Sequence, residues 1–115
     1  MVTMNEFLRE TFAVALDGSM LSAWADIETY NADDEVAFNA TIRDRYTGTV
    51  HTVDRTTLEN GIRAIASGSA SRNFILVAAM RKVLADPENV WAIDLDSADA
   101  DCIVQVGLFG KVVYG

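Results

Sequence analysis

The single histidine, His51, and the single cysteine, Cys102, are the first residues to consider as a base and a nucleophile. A reactive cysteine needs an exposed, electropositive setting that lowers the pKa of its thiol. Cys102 instead lies in an apolar stretch that follows several aspartates, and such surroundings raise a thiol pKa. The sequence also lacks the Gly-x-Ser-x-Gly motif of serine hydrolases. We therefore expect a non-enzymatic protein without catalytic residues.

The densest group of oxygen ligands is a cluster of four aspartates, Asp94, Asp96, Asp99 and Asp101. Its spacing differs from that of a calcium-binding EF-hand loop, and it has neither the central glycine nor the terminal glutamate. Acidic side chains at the start of a helix are stabilised by the helix dipole, which suffices to explain them. We expect an acidic surface here and no cofactor, with weak Mg²⁺ or Ca²⁺ binding as the alternative. One histidine and one cysteine cannot complete a tetrahedral zinc site.

Four basic residues could together bind an anion such as a nucleotide: Arg43, Arg45, His51 and Arg72. Arg72 ends the sequence Gly-Ser-Ala-Ser-Arg before a predicted helix, where backbone N–H groups can hold an anion. A P-loop lysine and a dinucleotide fingerprint are both missing. A small anionic ligand is therefore the alternative function, and not the favoured one.

Aromatic side chains are numerous for a chain of 115 residues. Tryptophan and tyrosine are enriched at the energetically important positions of protein interfaces. The candidate protein-contact residues are Trp24, Tyr30, Tyr46, Trp91, Val113 and Tyr114. The apolar segment around Val113 and Tyr114 is the strongest of these candidates.

Composition limits the class of protein. A chain of 115 residues, half of them apolar, is expected to form one domain over residues 1–115. A net charge of −8 with scattered basic residues disfavours direct binding to nucleic acid. The longest apolar run, Phe74 to Met80, is too short to span a membrane. A single cysteine excludes an intrachain disulfide, which favours the cytoplasm.

The elements that must position these residues follow from hydrophobic periodicity and capping signals. A helix is predicted over 4–16, and strands over 21–30, 35–43 and 49–53, with a loop from Asp44 to Gly48. A second helix is expected to begin at Thr56 and to end at Gly68. Residues 69–71 are expected to cap a third helix, which Phe74 opens. The turn 86–88 ends that helix and could start a short turn through Trp91.

The final segment is ambiguous. Residues 96–99 have the pattern of a helix start, which predicts a helix over 97–109, whereas the β-branched run 102–106 could also form a strand. We favour the helix because no turn separates the run from its cap. The predicted fold is α+β: an N-terminal helix, a three-stranded antiparallel meander, and two to three C-terminal helices packed on one face of the sheet.

Several segments resemble a family of small uncharacterised proteins encoded by phages of actinobacteria. The pattern is most specific at the C-terminus, where Asp94, Asp96, Asp99 and Asp101 precede Val-Gln-x-x-Leu-Phe-Gly-x-Val-Val-Tyr-Gly over 104–115. Looser matches are Trp-Ala-Asp-Ile-Glu-Thr-Tyr at 24–30, Gly48, His-Thr-Val at 51–53 and Gly-Ile-Arg at 61–63. Between Val83 and Trp91 the chain departs from the family pattern. The resemblance implies a phage origin and supports the helix over 97–109, but it implies no activity.

The expected function is therefore that of a small phage-type protein that binds and modulates a host or phage protein in the cytoplasm of the infected bacterium. An inhibitor of a defence enzyme and an acidic mimic of nucleic acid are two specific forms of this hypothesis. A homo-oligomer is also compatible with the sequence, because a three-stranded meander has edge strands that need covering.

Overall fold

The computed structural model of the chain describes residues 2–71, 73–90 and 95–115. Its elements are helix α1 (Met4–Asp17), the single turn α2 (Ser19–Ser22), strands β1 (Ala25–Asn31), β2 (Asn39–Asp44) and β3 (Val50–Asp54), and helices α3 (Arg55–Ala66), α4 (Phe74–Ala85) and α5 (Ser97–Phe109). The predicted α+β order of one helix, a meander and C-terminal helices is confirmed, and residues 97–109 are helical. Within the described ranges, no helix is long and apolar enough to cross a membrane.

The three strands form one antiparallel sheet in the order β1-β2-β3. The predicted strand over 21–30 begins only at Ala25, because residues 19–22 form a helical turn first. The strand predicted over 35–43 begins at Asn39, because the Asp34 carboxylate accepts the N–H groups of Val36 and Ala37 at 2.8 Å each and holds a turn there. Val36 is consequently exposed and does not extend the buried face of the strand.

Side-chain caps fix where the helices begin. Thr3 caps α1 as its spacing predicts. The helix expected from Thr56 begins at Arg55, because the Asp54 carboxylate accepts the Thr57 N–H at 3.0 Å and forms a capping box with that residue. Residues 69–71 do not cap α4. Its cap is Asn73, whose side chain accepts two backbone N–H groups.

Helices α3 and α5 pack on the inner face of the sheet, where Ala40, Ile42 and Val53 are buried, and α4 packs on α3. Helices α3 and α5 approach each other most closely at Gly61 and Gly107. A Cβ atom at Gly61 would lie 2.2 Å from the Ile103 carbonyl oxygen, and one at Gly107 would lie 2.1 Å from the Thr57 carbonyl oxygen. Only glycine fits at both positions, and this contact places the end of α5 beside β3.

Candidate functional site

The chain turns back on itself after α5. Gly110 adopts a left-handed conformation (φ 76°), which ends the helix and directs the last residues toward the sheet. The buried side chain of Gln105 holds that segment. Its Oε1 accepts the N–H groups of Val113 at 2.9 Å and Tyr114 at 2.8 Å, and its Nε2 donates to the Tyr114 carbonyl at 2.9 Å. One buried amide therefore fixes the backbone of the C-terminal segment.

This backbone geometry inserts the Tyr114 ring between two other aromatic rings. Tyr114 stacks on Trp24 with ring centroids 5.1 Å apart and an interplanar angle of 19°. Tyr46 stacks on Tyr114 at 5.1 Å and 20°. Phe109 meets Trp24 edge-on at 5.7 Å. The stack runs from a buried indole, 2% exposed, to a tyrosine that is 71% exposed.

A buried carboxylate, Asp101, holds the indole end of the stack. Trp24 Nε1 donates to Asp101 Oδ1 at 2.8 Å, and Gln105 Nε2 donates to Oδ2 at 2.7 Å. Burial raises the pKa of Asp101 above its usual range, although both hydrogen bonds act in the opposite direction. Asp101 is only 4% exposed. Its assignment to an acidic surface is therefore wrong, because the side chain is the acceptor for an indole that lies 77 residues away in the chain.

A second buried carboxylate, Asp44, holds the tyrosine end. The Tyr114 hydroxyl donates to Asp44 Oδ2 at 2.5 Å, and the N–H groups of Tyr46 and Thr47 donate to Oδ1. Burial raises the pKa of Asp44, but these donors outweigh burial and leave the pKa below its usual range. The same hydrogen bond to Asp44, together with burial, raises the pKa of Tyr114 to about 12.

These groups surround a cleft of about 270 Å³. Its lining includes Met20, Trp24, Tyr46, Asp101 and residues 113–115. We call this the aromatic cleft. None of the described residues that line it is a lysine, an arginine or a histidine.

Four of the six candidate protein-contact residues line the aromatic cleft: Trp24, Tyr46, Val113 and Tyr114. Trp24 is buried, so it forms a wall of the cleft and is not itself an exposed contact. Tyr30 lies elsewhere and stacks on Phe12 at 5.5 Å. Trp91 lies outside the described residues.

The three candidate anion-binding residues that the structure describes do not form one anion site. Arg43 bonds to Glu28 at 2.5 Å and Arg45 to Asp26 at 2.7 Å, so both guanidinium groups already have carboxylate partners. His51 pairs with Ile42 on the inner face of the sheet, opposite to Arg43, and meets Phe109 edge-on at 5.2 Å. Arg72 lies outside the described residues.

Of the remaining predicted acidic residues, Asp96 and Asp99 form the capping box of α5, and Asp94 lies outside the described residues. Cys102 is half-buried, and burial together with Asp101 and Asp99 raises the pKa of its thiol, in the direction expected from its neighbours. In the part of the chain that the structure describes, no three His, Cys, Asp or Glu side chains are grouped as metal ligands.

Two further features were missed. Phe74 and Ile75, at the start of α4, are 85% and 84% exposed. Helix α4 begins at Phe74 as predicted, but Phe74 and Ile75 do not belong to its buried face, which consists of Leu76, Val77, Met80 and Val83. Helical spacing places Phe74 and Ile75 outside this stripe, and that signal was available in the sequence. The structural role of Gln105 had no local signal, because its partners lie beyond the end of the helix.

Comparison of the chain with protein-family models, with curated proteins and with solved structures gives no significant match in any of the three.

Proposed function

We propose that this chain is a small non-enzymatic interaction protein that binds and modulates a protein partner through the aromatic cleft. The observation that carries this proposal is the stack of Trp24, Tyr114 and Tyr46, which ends in a largely exposed ring beside a cleft. Aromatic side chains contribute much of the binding energy at protein interfaces. Hydrogen bonds to Asp44 and Gln105 hold the C-terminal segment in place before binding, which lowers the entropic cost of association.

The origin of the partner is inferred from the C-terminal sequence pattern. If that resemblance reflects common descent, the partner is a host or phage protein in the cytoplasm of an infected actinobacterium. Inhibition of a defence enzyme is one form of this function. Mimicry of nucleic acid is less favoured, because Asp44 and Asp101 are buried and contribute no exposed carboxylates to a phosphate-like surface.

Sequestration of a small anion has less support. The arginines proposed for it are engaged with carboxylates, and His51 lies on the other face of the sheet from Arg43. A ligand that binds the native state must raise the melting temperature by mass action. We expect common nucleotides to leave the melting temperature unchanged, and a saturable rise would favour this alternative.

A photocrosslinker tests the main proposal. Replacing Tyr46 with p-benzoylphenylalanine keeps an aromatic ring in the stack, and the same group at Lys82, an exposed position on α4, provides a matched control. In lysates of infected and uninfected actinobacteria, we expect a discrete crosslinked protein from position 46 and not from position 82. Wild-type protein without the photocrosslinker should compete for the partner and reduce this crosslink. The variant Val113→Asp, which places a charge at the cleft, should reduce it much less. If the photocrosslinker at position 46 captures only the proteins that it also captures at position 82, the proposal fails.

Self-association through the edge strand β1 is a separate proposal, and the shape of this strand gives it little support. This strand lies at one edge of the sheet, and a bulge between Ile27 and Thr29 interrupts its register with β2. Bulges of this kind discourage edge-to-edge pairing. A light-scattering mass equal to that of the monomer would exclude a homo-oligomer.

A further inference from the structure

A second cleft, of about 630 Å³, adjoins the C-terminal segment. One wall is formed by residues between α3 and α4, and the other by the start of the C-terminal segment. We call it the serine cleft, and its described lining consists of Gly68, Ser69, Ala70, Ser71, Lys111 and Val112. The next residues of the same segment, 113–115, line the aromatic cleft. A protein that lies along the C-terminal segment therefore reaches both clefts.

The serine cleft offers hydrogen-bond donors, and no acidic residue is part of its described lining. Lys111 is exposed, and its ammonium forms no ion pair with a described carboxylate. The Ser71 hydroxyl accepts the N–H of Asn73 at 3.1 Å, and no described atom accepts its own proton. A serine hydroxyl can donate one hydrogen bond while it accepts others, so this proton is available to a ligand. The cleft is therefore complementary to acidic groups, although the chain as a whole carries a net charge of −8.

Apolar side chains lie beside these donors. Val112 lines the serine cleft and is 42% exposed. The hydrogen bond between Asn73 and Ser71 joins the cleft to the first turn of α4, where Phe74 and Ile75 are almost fully exposed. Exposed apolar side chains that lie together mark sites of interaction with other proteins. The complementary group is therefore apolar and carries a negative charge.

The shape of the serine cleft favours a segment of a protein over a small molecule. Pockets for small ligands typically bury about 70–90% of the surface of the ligand. None of the residues in the described lining of the serine cleft is buried, so the cleft does not enclose its occupant to that extent. Its volume is more than twice that of the aromatic cleft, which leaves room for more than one side chain. An extended segment of a partner fits such an open surface.

We propose that the serine cleft binds an acidic and apolar segment of the partner, with a carboxylate of that segment at Lys111 and an apolar side chain on Val112. Phe74 and Ile75 extend the apolar part of this surface. The inference rests on the proposed function, because it adds a second contact with the same partner and defines the chemistry of the segment that makes it.

Nuclear magnetic resonance of the folded protein tests this inference without knowledge of the partner. The probe is the peptide acetyl-Leu-Asp-Leu-Glu-Leu-amide, and its control is acetyl-Leu-Asn-Leu-Gln-Leu-amide, which has almost the same shape but no charge. The reporters are the backbone N–H signals of Ser69, Ser71 and Lys111, which line the cleft. We expect saturable shifts with the acidic peptide, much smaller shifts with the neutral peptide, and weaker binding at high salt.

Two lysine variants separate a contact in the cleft from general attraction to a positive charge. Lys111→Gln should weaken binding of the acidic peptide roughly two- to five-fold, as expected for an exposed ion pair. Lys82→Gln removes an exposed cation on α4 that is not in the described lining of the cleft, and it should bind like wild type. Both lysines are exposed, so we expect both variants to fold normally. Inorganic phosphate, which has charge but no apolar part, should shift the reporter signals less than the acidic peptide.

Equal shifts with both peptides, equal losses in the two lysine variants, or equal shifts with phosphate would each overturn the inference. Its failure is separable from failure of the proposed function when p-benzoylphenylalanine is also placed at position 112. We expect the photocrosslinker at positions 46 and 112 to capture the same protein. A partner captured at position 46 and not at position 112 leaves the proposed function standing and overturns this inference. Binding of the acidic peptide without a captured partner at either position supports the chemistry of the serine cleft and counts against the proposed function.

Discussion

Tyr114 lies 70 residues after Asp44 in the chain, yet its hydroxyl donates a hydrogen bond of 2.5 Å to the Asp44 carboxylate. The other oxygen of this carboxylate accepts the backbone N–H of Tyr46. One buried side chain at the end of β2 therefore positions both tyrosines of the stack. The C-terminal segment and the turn between β2 and β3 consequently form a single unit, although no secondary-structure element connects them directly.

Removing only the hydroxyl of Tyr114 measures the strength of this connection. Tyr114→Phe keeps the stacked ring but deletes a charge-assisted hydrogen bond, while Asp44 keeps its two backbone donors. We expect the melting temperature, measured by circular dichroism, to fall by several degrees. The matched variant Tyr46→Phe removes a hydroxyl that makes no hydrogen bond to the described residues and should melt like wild type. Equal melting temperatures for all three proteins would show that the connection adds no stability.

The same hydrogen bond predicts a dependence on alkaline pH. The pKa of Tyr114 is about 12 in the folded protein and about 10 in an unfolded chain. A pKa that is raised by folding adds stability below about pH 10, and this stability is lost as the pH rises from about 10 through about 12. In urea unfolding, the stability advantage of wild type over Tyr114→Phe should therefore shrink across this range. An advantage that stays constant to about pH 12 would contradict this assignment, since Tyr30 and Tyr46 are present in both proteins.

Local signals were sufficient to predict most of the secondary structure. Residues 96–99 were predicted to start a helix, and Asp96 and Asp99 form a capping box there, so the ambiguous final segment is helical. The same local argument failed for Asp101, because it placed every aspartate near the helix start in solvent. Asp101 is buried by its bond to Trp24, and a contact between residues so far apart in sequence leaves no periodic pattern.

Four residues that line the aromatic cleft were among the predicted contact residues, but the arrangement of these residues and the polar groups that hold them were not predicted. Residue type alone selected Tyr46 and Tyr114, since both are common in interfaces. Their stacking depends on Gly110, which turns the chain back, and on Gln105, which holds it there. The basic residues were grouped because their side chains can contact an anion, but strand alternation places Arg43 and His51 on opposite faces of the sheet.

Because α3 and α5 are in close contact, we expect two glycine-to-alanine substitutions in these helices to lower the stability of the protein and not to raise it. Alanine normally stabilises a helix by about 1 kcal/mol relative to glycine. At Gly61 or Gly107, however, the added Cβ would meet a backbone carbonyl at 2.2 Å or 2.1 Å, and backbone atoms cannot move aside easily. We expect each variant to lose about 1–3 kcal/mol of unfolding free energy in urea titrations. Gly115→Ala, which adds a Cβ with no atom within 4 Å, should be neutral. A stabilising effect at Gly61 would mean that the two helices pack less closely than described.

Phe74 and Ile75 are exposed at the start of α4, so we expect substitutions there to leave the stability of the domain almost unchanged, even if they affect binding of a partner. Phe74 and Ile75 are 85% and 84% exposed, so replacing both with serine should change the unfolding free energy by only about 0.5 kcal/mol. Leu76, the next residue on the same helix, is buried, and Leu76→Ala should cost about 2–5 kcal/mol. Chemical denaturation of the three proteins checks this contrast.

The serine variant then tests whether Phe74 and Ile75 extend the proposed interface. If the partner captured at position 46 covers this end of α4, the variant should keep wild-type stability and compete less well for crosslinking. Unchanged competition would restrict the interface to the aromatic cleft. A large loss of stability in the serine variant would instead show that Phe74 and Ile75 pack against the domain, contrary to their exposure, because a solvated side chain has no native contact to lose.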